Sequence, residues 1–208
     1  MFKTNRQEGL TLIELLIAIS ILAIVAVLGW RGLDGITRAR SALTTELELT
    51  RGMQLTFAQL QSDCAHIASQ TSLPERVPLV ADQQRLVMVR TVTADNQPTR
   101  LQVVAYRLID GVLTRTESAA TRNLSELDTQ WAAIAGNPNA TQSVALQSGL
   151  ASMRIRTWST NSPGWRVSTD AMANTSAPNM AAMTGLEVSL QPVGRDTSTT
   201  KVFLLGAM

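Results

Sequence analysis

From Leu10 to Trp30 the chain runs for 21 residues with a single charge, Glu14, and no polar stripe that would keep one face wet. At a rise of about 1.5 Å per residue such a run just crosses a hydrocarbon core about 30 Å thick, so the pattern predicts a membrane-spanning helix. Beyond Trp30 the pattern changes to helical spacing. Ile36, Ala39, Leu43, Leu47, Met53, Phe57, Leu60, Cys64 and Ile67 fall close to one face, with Glu46, Glu48, Arg51 and Asp63 elsewhere. One continuous helix is predicted from Leu10 to about Ala68, roughly 90 Å long, half embedded and half laid against a folded body. Gly29, Gly32, Gly35 and Gly52 interrupt it, each at a cost of about 1 kcal/mol relative to Ala. They read either as a stretch that loosens or bends, or as close packing against small residues.

Pro74 and Pro78 open a different regime of short β-branched runs separated by turn residues. Strands are predicted at Leu86–Val92, Leu101–Leu108, Val112–Glu117, Met153–Trp158, Gly164–Val167, Leu186–Gln191 and Lys201–Leu205. Asp110-Gly111 joins two of them as a tight hairpin, because both turn positions favour positive φ. Asn137–Gln142 and Ala171–Met183 read as loops, the second an adaptable, Met-bearing one. Trp131, Trp158 and Trp165 lie in or beside the strands, where packing is their simplest role. The fold class is therefore α+β: one long N-terminal helix, with a membrane half and an amphipathic half, packed on an antiparallel sheet domain.

Composition narrows the function. The net charge of +2 comes with no basic patch interleaved with aromatics, so nucleic-acid binding has little support. Cys64 is the single cysteine, which excludes an internal disulfide and a multi-cysteine zinc site; on the apolar helix stripe it reads as a buried core thiol. His66 is the single histidine and lacks a nucleophile in a recognisable setting. No phosphate-cradling glycine loop or paired-histidine zinc motif is present, so no catalytic residue, cofactor or metal is assigned.

The chemistry concentrates at the N-terminus. A carboxylate in a membrane-spanning helix costs on the order of 2.5 to 3.5 kcal/mol and normally has a partner. The sequence shows none for Glu14. The short polar segment before the apolar run carries Lys3 and Arg6 and ends at Gly9, which places a cut site on the near side; a secretory signal would carry it on the far side. Arg31, Arg38 and Arg40 follow the run, so charge counting leaves the orientation open.

These residues resemble the type IV pilin-like proteins, whose signal is a short basic leader, a Gly, and an apolar helix with Glu at its fifth position. Gly9 matches the last leader residue, Leu10 the new N-terminus, and Glu14 the fifth mature residue. The resemblance implies cleavage after Gly9 by a prepilin peptidase at the cytoplasmic membrane face and N-methylation of Leu10. It departs at Leu10, where the family usually has Phe. It also implies a cytoplasmic N-terminus, with the bulk of the chain periplasmic and anchored in the inner membrane. The organisation that follows is a leader at 1–9, a transmembrane half-helix at 10–30, a periplasmic half-helix at 31–69 and a globular domain at 70–208. Glu14 then has a use: on entering a helical stack it meets a freed amine, a neighbour's or its own, and two buried charges are relieved together. An ordinary anchor whose Glu14 reaches toward headgroups is the plain alternative.

Within that family Trp30-Arg31-Gly32-Leu33-Asp34-Gly35 with Arg38-Ala39-Arg40 is similar to the J-type minor pseudopilin of type II secretion systems. Tyr106-Arg107-Leu108, Asp110-Gly111 and Leu113-Thr114-Arg115 also resemble it, as do Met153–Arg156, Gly164–Arg166 and Gly185–Leu190. This implies a non-enzymatic subunit at the tip of a periplasmic pseudopilus. Its partners would be the I-, K- and H-type minor pseudopilins, the major pseudopilin, and exported proteins or the outer-membrane secretin. Some pseudopilins hold calcium, but Asp82, Asp95, Asp110 and Asp128 are too dispersed to specify a site. Two alternatives stand beside it: a PilW-like minor pilin of a type IV pilus, and a periplasmic enzyme or ligand-binding domain on an uncleaved anchor.

Overall fold

The computed structural model describes residues 11–82, 84–136, 143–160, 162–167 and 183–206. By its contacts the chain forms two units, Met1–Glu48 and Leu49–Met208. In the first, everything described from residue 12 onward is helix, and the side chains of residues 11–48 are exposed throughout. The helix, α1, spans Leu12–Ala65, so its last turns belong to the second unit.

The second unit carries two antiparallel sheets. The five-stranded sheet has the order β1 (Leu79–Ala81), β2 (Arg85–Val92), β3 (Arg100–Ile109), β4 (Val112–Glu117), β5 (Ser143–Gln147). The four-stranded sheet has the order β7 (Ser162–Val167), β6 (Leu150–Ser159), β8 (Met183–Pro192), β9 (Thr199–Leu204). This is the α+β, pilin-like arrangement of a long N-terminal helix with antiparallel sheets that the sequence predicts. The predicted strands all form, most of them a residue or more longer than their apolar runs.

Met53, Phe57, Leu60 and Cys64 of α1 pack into one core with Leu86, Met88, Val104 and Tyr106 of the larger sheet and Ile155, Leu186, Val188 and Phe203 of the smaller one. Period-two alternation turns Val87, Val89, Val103 and Ala105 to the opposite face of the larger sheet. A second helix, α2 (Leu124–Gly136), covers that face with Leu127 and Ile134. The sequence reading places one helix against the sheets; the structure corrects this to two. Because the larger sheet is covered on both sides, β3 is buried along most of its length and carries the continuous run Val103-Val104-Ala105-Tyr106.

Local chemistry fixes these elements. Asp110 (φ 49°) and Gly111 (φ 76°) form the predicted two-residue turn, with Ile109 paired to Val112. The N-terminus of α2 is capped by Asn123, whose Oδ1 accepts a bond of 2.9 Å from the Ser125 amide. At its other end Arg107 and Arg85 donate to the Ala135 carbonyl at 2.7 and 2.9 Å, satisfying helix-end acceptors with positive charge. Burial, and then the neighbouring Arg85, lower the pKa of Arg107.

Helix α1 ends at Ala65, because Ile67 bridges Arg90 and the Ala68 amide donates to the Val89 carbonyl at 2.8 Å. Trp131 belongs to α2, not to a strand. The loop expected at Asn137–Gln142 lies outside the described residues, as does all of the Ala171–Met183 stretch except Met183, which opens β8. Trp158 and Trp165 are directly paired across β6 and β7, their rings edge-to-face at 5.6 Å.

Candidate functional site

Gly9 and Leu10 lie outside the described residues. Glu14 stands in the first turn of α1. Its Oε2 accepts hydrogen bonds from the Thr11 amide at 2.9 Å and from Thr11 Oγ1 at 2.8 Å, while the Glu14 amide reaches back to Thr11 Oγ1 at 3.4 Å. This is the reciprocal capping box written in the sequence as Thr-x-x-Glu, which satisfies donors that a helix start otherwise leaves open. The sequence reading finds no partner for Glu14 within the chain. That is corrected in part: Thr11 supplies hydrogen bonds but no opposite charge. Among the described residues Oε1 accepts no hydrogen bond, and it sits at the helix end where the backbone dipole favours an anion.

The rest of the apolar half is built for a medium without water. Its leucines, isoleucines and valines point outward on every side. Ser20, the polar residue in the middle, returns its hydroxyl to the Leu16 carbonyl at 2.8 Å, which hides the donor on the helix itself. Leu33, Ile36, Leu43 and Leu47 continue as exposed apolar residues beyond Trp30.

The other acid of consequence on α1 is buried, and the sequence does not predict it. Asp63 falls off the apolar stripe in the sequence reading, yet it is fully buried. Arg115 grips it with both faces of a fork, Nε to Oδ2 at 2.9 Å and Nη2 to Oδ1 at 3.2 Å. Arg90 Nη1 donates to Oδ1 at 2.9 Å and the Tyr106 hydroxyl to Oδ2 at 2.5 Å. Glu117 closes the network, accepting from Arg115 Nη1 at 2.6 Å. Burial would lower the pKa of Arg115, but its bonds to Asp63 and Glu117 more than offset this and hold it up. Burial first, and then the Asp63 charge, raise the Tyr106 hydroxyl above its ordinary range and push the Cys64 thiol up to about 12. Cys64 is thus an inert core thiol, as its place on the stripe suggests. No spacing rule in the sequence links Asp63 to Arg90, Tyr106 and Arg115; the signal exists only once β2, β3 and β4 are in register.

No reactive centre is assembled among the described residues. His66 Nδ1 lies 2.8 Å from the Ser62 carbonyl, a local contact one turn away. Asp82 pairs with Arg85 and Asp128 with Arg76, each at 2.8 Å. Among the described residues no three His, Cys, Asp or Glu side chains group as metal ligands.

Residues 4–30 match the prokaryotic N-terminal methylation motif. No curated protein matches the chain. Proteins with this motif are typically structural, and the motif implies processing by a prepilin peptidase and assembly with other pilin subunits. With an apolar N-terminal helix of the kind that anchors pilins in membranes, the motif indicates a protein of the type IV pilin and pseudopilin type.

Proposed function

We propose that this chain is a non-enzymatic J-type minor pseudopilin of a type II secretion system. It joins I-, K- and H-type subunits at the pseudopilus tip and promotes pseudopilus assembly and protein export. Prepilin peptidase removes residues 1–9 by cutting after Gly9, and the freed Leu10 amine is methylated. Residues 10–30 then hold the subunit in the inner membrane, with the remaining helix to 69 and the domain at 70–208 in the periplasm.

The observation that carries this reading is the state of Glu14. Its carboxylate is oriented by Thr11 at the first turn, one oxygen is left open, and no cation among the described residues faces it. In this reading a charge-neutralising partner comes from outside the described residues, and a cationic amine at Leu10, its own or a neighbour's, has the required sign and directly precedes Thr11 in the sequence. The exposed Leu33, Ile36, Leu43 and Leu47 support packing against neighbouring helices past the membrane. Assignment to J rests on the sequence resemblance after Trp30, supported by the placement of its motifs on β3, β4, β6, β7 and β8.

Intact-mass measurement on protein extracted from membranes tests processing. The expected product begins at Leu10 and carries one added methyl group; retention of Met1–Gly9 rejects the reading and favours an uncleaved anchor bearing another kind of domain. Deleting the chain tests the assignment to secretion: export of proteins across the outer membrane is expected to stop. Intact export with lost surface pili or DNA uptake would instead favour a PilW-like minor pilin.

A further inference from the structure

The apolar stripe that seats α1 on the sheets leaves the position of the helix along its own axis poorly specified. Within the unit Leu49–Met208 the stripe is Leu49, Met53, Phe57, Leu60 and Cys64, and Ile67 continues it past the helix end. Its steps are all of three or four residues. A slide of one turn, about 5.4 Å, therefore sets each apolar side chain in the place of the next. Cores accept such exchanges between apolar residues at modest cost, and one-turn displacements of one element past another are an established mode of rearrangement.

Two features of the helix do not repeat one turn away. The first is Asp63, whose counterparts are fixed on three neighbouring strands. Arg115 of β4 stands opposite Tyr106 of β3 in the ladder, and Arg90 of β2 is braced by its Nε bond to Gln102 Oε1 at 3.0 Å. One turn along α1 in either direction stand Gln59 and Ile67, neither of which carries a negative charge. In a displaced helix two guanidinium groups would face each other without their anion. The second feature is Gly52, about three turns before Asp63, where a Cβ would fall 1.9 Å from Gln147 Oε1 of β5. Its neighbours one turn away are Glu48 and Thr56, each with a Cβ that would have to push Gln147 aside.

We propose that Asp63 is a positioning residue that fixes the axial register of Leu49–Ala65 on the two sheets, with Gly52 as a second mark. A buried ionic set adds little net stability over apolar residues of the same volume, because its desolvation offsets its attraction. What it adds here is a single permitted position, the role a lone buried polar residue plays in setting coiled-coil register. The lock lies wholly within the unit Leu49–Met208, so it goes beyond the proposed function and holds for a secretion or a pilus subunit alike.

Moving the acid by one turn tests this. Spin labels on Leu55→Cys of α1, paired in turn with Val202→Cys of β9, Arg100→Cys of β3 and Thr129→Cys of α2, report the helix position by pulsed electron resonance. All four sites are exposed, and buried Cys64 stays unlabelled. The full-length chain is measured in detergent, diluted with unlabelled chain, in a Gln147→Ala background that removes the second mark. With Gln59→Asp and Asp63→Gln together, the helix is expected to slide one turn so that the carboxylate at position 59 meets Arg90 and Arg115. At least one of the three distances then moves by about 3–5 Å. A purely stabilising role for Asp63 would lower the unfolding midpoint and leave the distances alone. In the same background the apolar triple Asp63→Leu, Arg90→Met and Arg115→Met removes the lock without leaving a charge behind, and should add a second distance to the single one of Gln147→Ala. The proposal is overturned if the exchanged acid leaves all three distances unchanged, or if the triple keeps a single distance of unchanged width. It is also overturned if neither variant folds, since a lock on position can be removed without loss of the fold.

Discussion

Helix α1 carries two acids that decide different things, and the contrast lies in what surrounds each. Glu14 is exposed in the first unit and, among the described residues, is held by its neighbour Thr11, three residues away. Asp63 is fully buried in the second unit and is held by residues 27, 43 and 52 positions distant. A carboxylate with local bonds and an open oxygen is free to take a partner from another chain. One that is saturated by two guanidinium groups and a phenol is committed to its own fold. The proposed assembly role draws on the first condition, and the stability of the folded body on the second.

The largest effect is expected where the commitment is complete. Asp63→Ala leaves Arg90 and Arg115 facing each other in a buried site, and removal of one member of a buried pair costs about 3–5 kcal/mol. For a unit of this size that lowers the midpoint by roughly 10 °C, measured by denaturant or thermal unfolding through the fluorescence of the Trp158–Trp165 pair. Replacing Asp63, Arg90 and Arg115 together with apolar residues of similar volume should restore most of the loss, because the desolvation cost of the charges disappears with their attraction. A loss below about 1 kcal/mol for Asp63→Ala would show that water reaches the site and that the two acids differ less than their burial implies.

Glu14→Ala reverses the pattern. Unfolding of the unit Leu49–Met208 is expected to be unchanged, since Glu14 touches none of it. Incorporation into sheared filaments should fall by about tenfold or more, equivalent to at least about 1.4 kcal/mol of lost docking. Thr11→Val keeps the shape and the backbone bond and removes the hydroxyl bonds, so a partial loss is expected. Full incorporation of Glu14→Ala would remove the reason for keeping an acid in that helix.

Much of this was legible in the sequence, and the part that was not has a physical reason. The membrane half of α1 could be read because an apolar run needs no knowledge of the rest of the chain. The β3–β4 hairpin could be read because Asp110-Gly111 specifies its own turn. The sequence analysis predicts no helix at α2, although Asn123, Leu124, Leu127, Trp131 and Ile134 carry its cap and its apolar spacing; its run of Ala, Thr, Ser and Gln resembles the loop composition that follows. Strand β5 went unassigned because its buried end is a polar residue, Gln147, and its exposed positions include Val144. Asp63 was misplaced because helical periodicity reports which side of α1 a residue lies on, not whether arginines from two strands converge there. Glu14 differs in that its bonds among the described residues come from Thr11, three residues away, a spacing that stands in the sequence itself.

A smaller test uses the glycines, which sit in both regions. A Cβ on Gly32 would meet nothing within 4 Å, whereas one on Gly52 would fall 1.9 Å from Gln147 Oε1 of β5. Gly52 therefore serves close packing, here against a strand, and Gly29, Gly32 and Gly35 have no such contact. Gly32→Ala should strengthen the exposed helix by up to about 1 kcal/mol, seen as slower amide exchange around residue 32. Gly52→Ala should gain almost nothing, because the end of the Gln147 side chain must move and its bond to the Ser148 carbonyl is disturbed. Equal gains at both sites would mean that Gln147 yields freely and that close packing is not what holds Gly52.

A third acid separates the effect of burial from that of pairing. Asp128 of α2 is gripped by Arg76 through one guanidinium edge, Nε and Nη2 donating at 2.8 and 2.9 Å, as Asp63 is by Arg115, but it is exposed. The bonds from Arg76 lower its pKa below the ordinary carboxylate value. A group depressed in the folded state adds stability above its unfolded pKa, about 3.9 for Asp, and that contribution fades as pH falls through the lower folded value. In the parent chain the pair should therefore give a shallow acid limb below about pH 4, and Arg76→Ala should flatten it with little change at neutral pH, as exposed pairs are screened by solvent and salt. Unfolding midpoints measured from pH 7 down to pH 2 in parent and variant check the sign. If Arg76→Ala destabilises at pH 7 as much as Asp63→Ala does, pairing rather than burial sets the strength of these carboxylates, and the contrast between the two acids of α1 loses its cause.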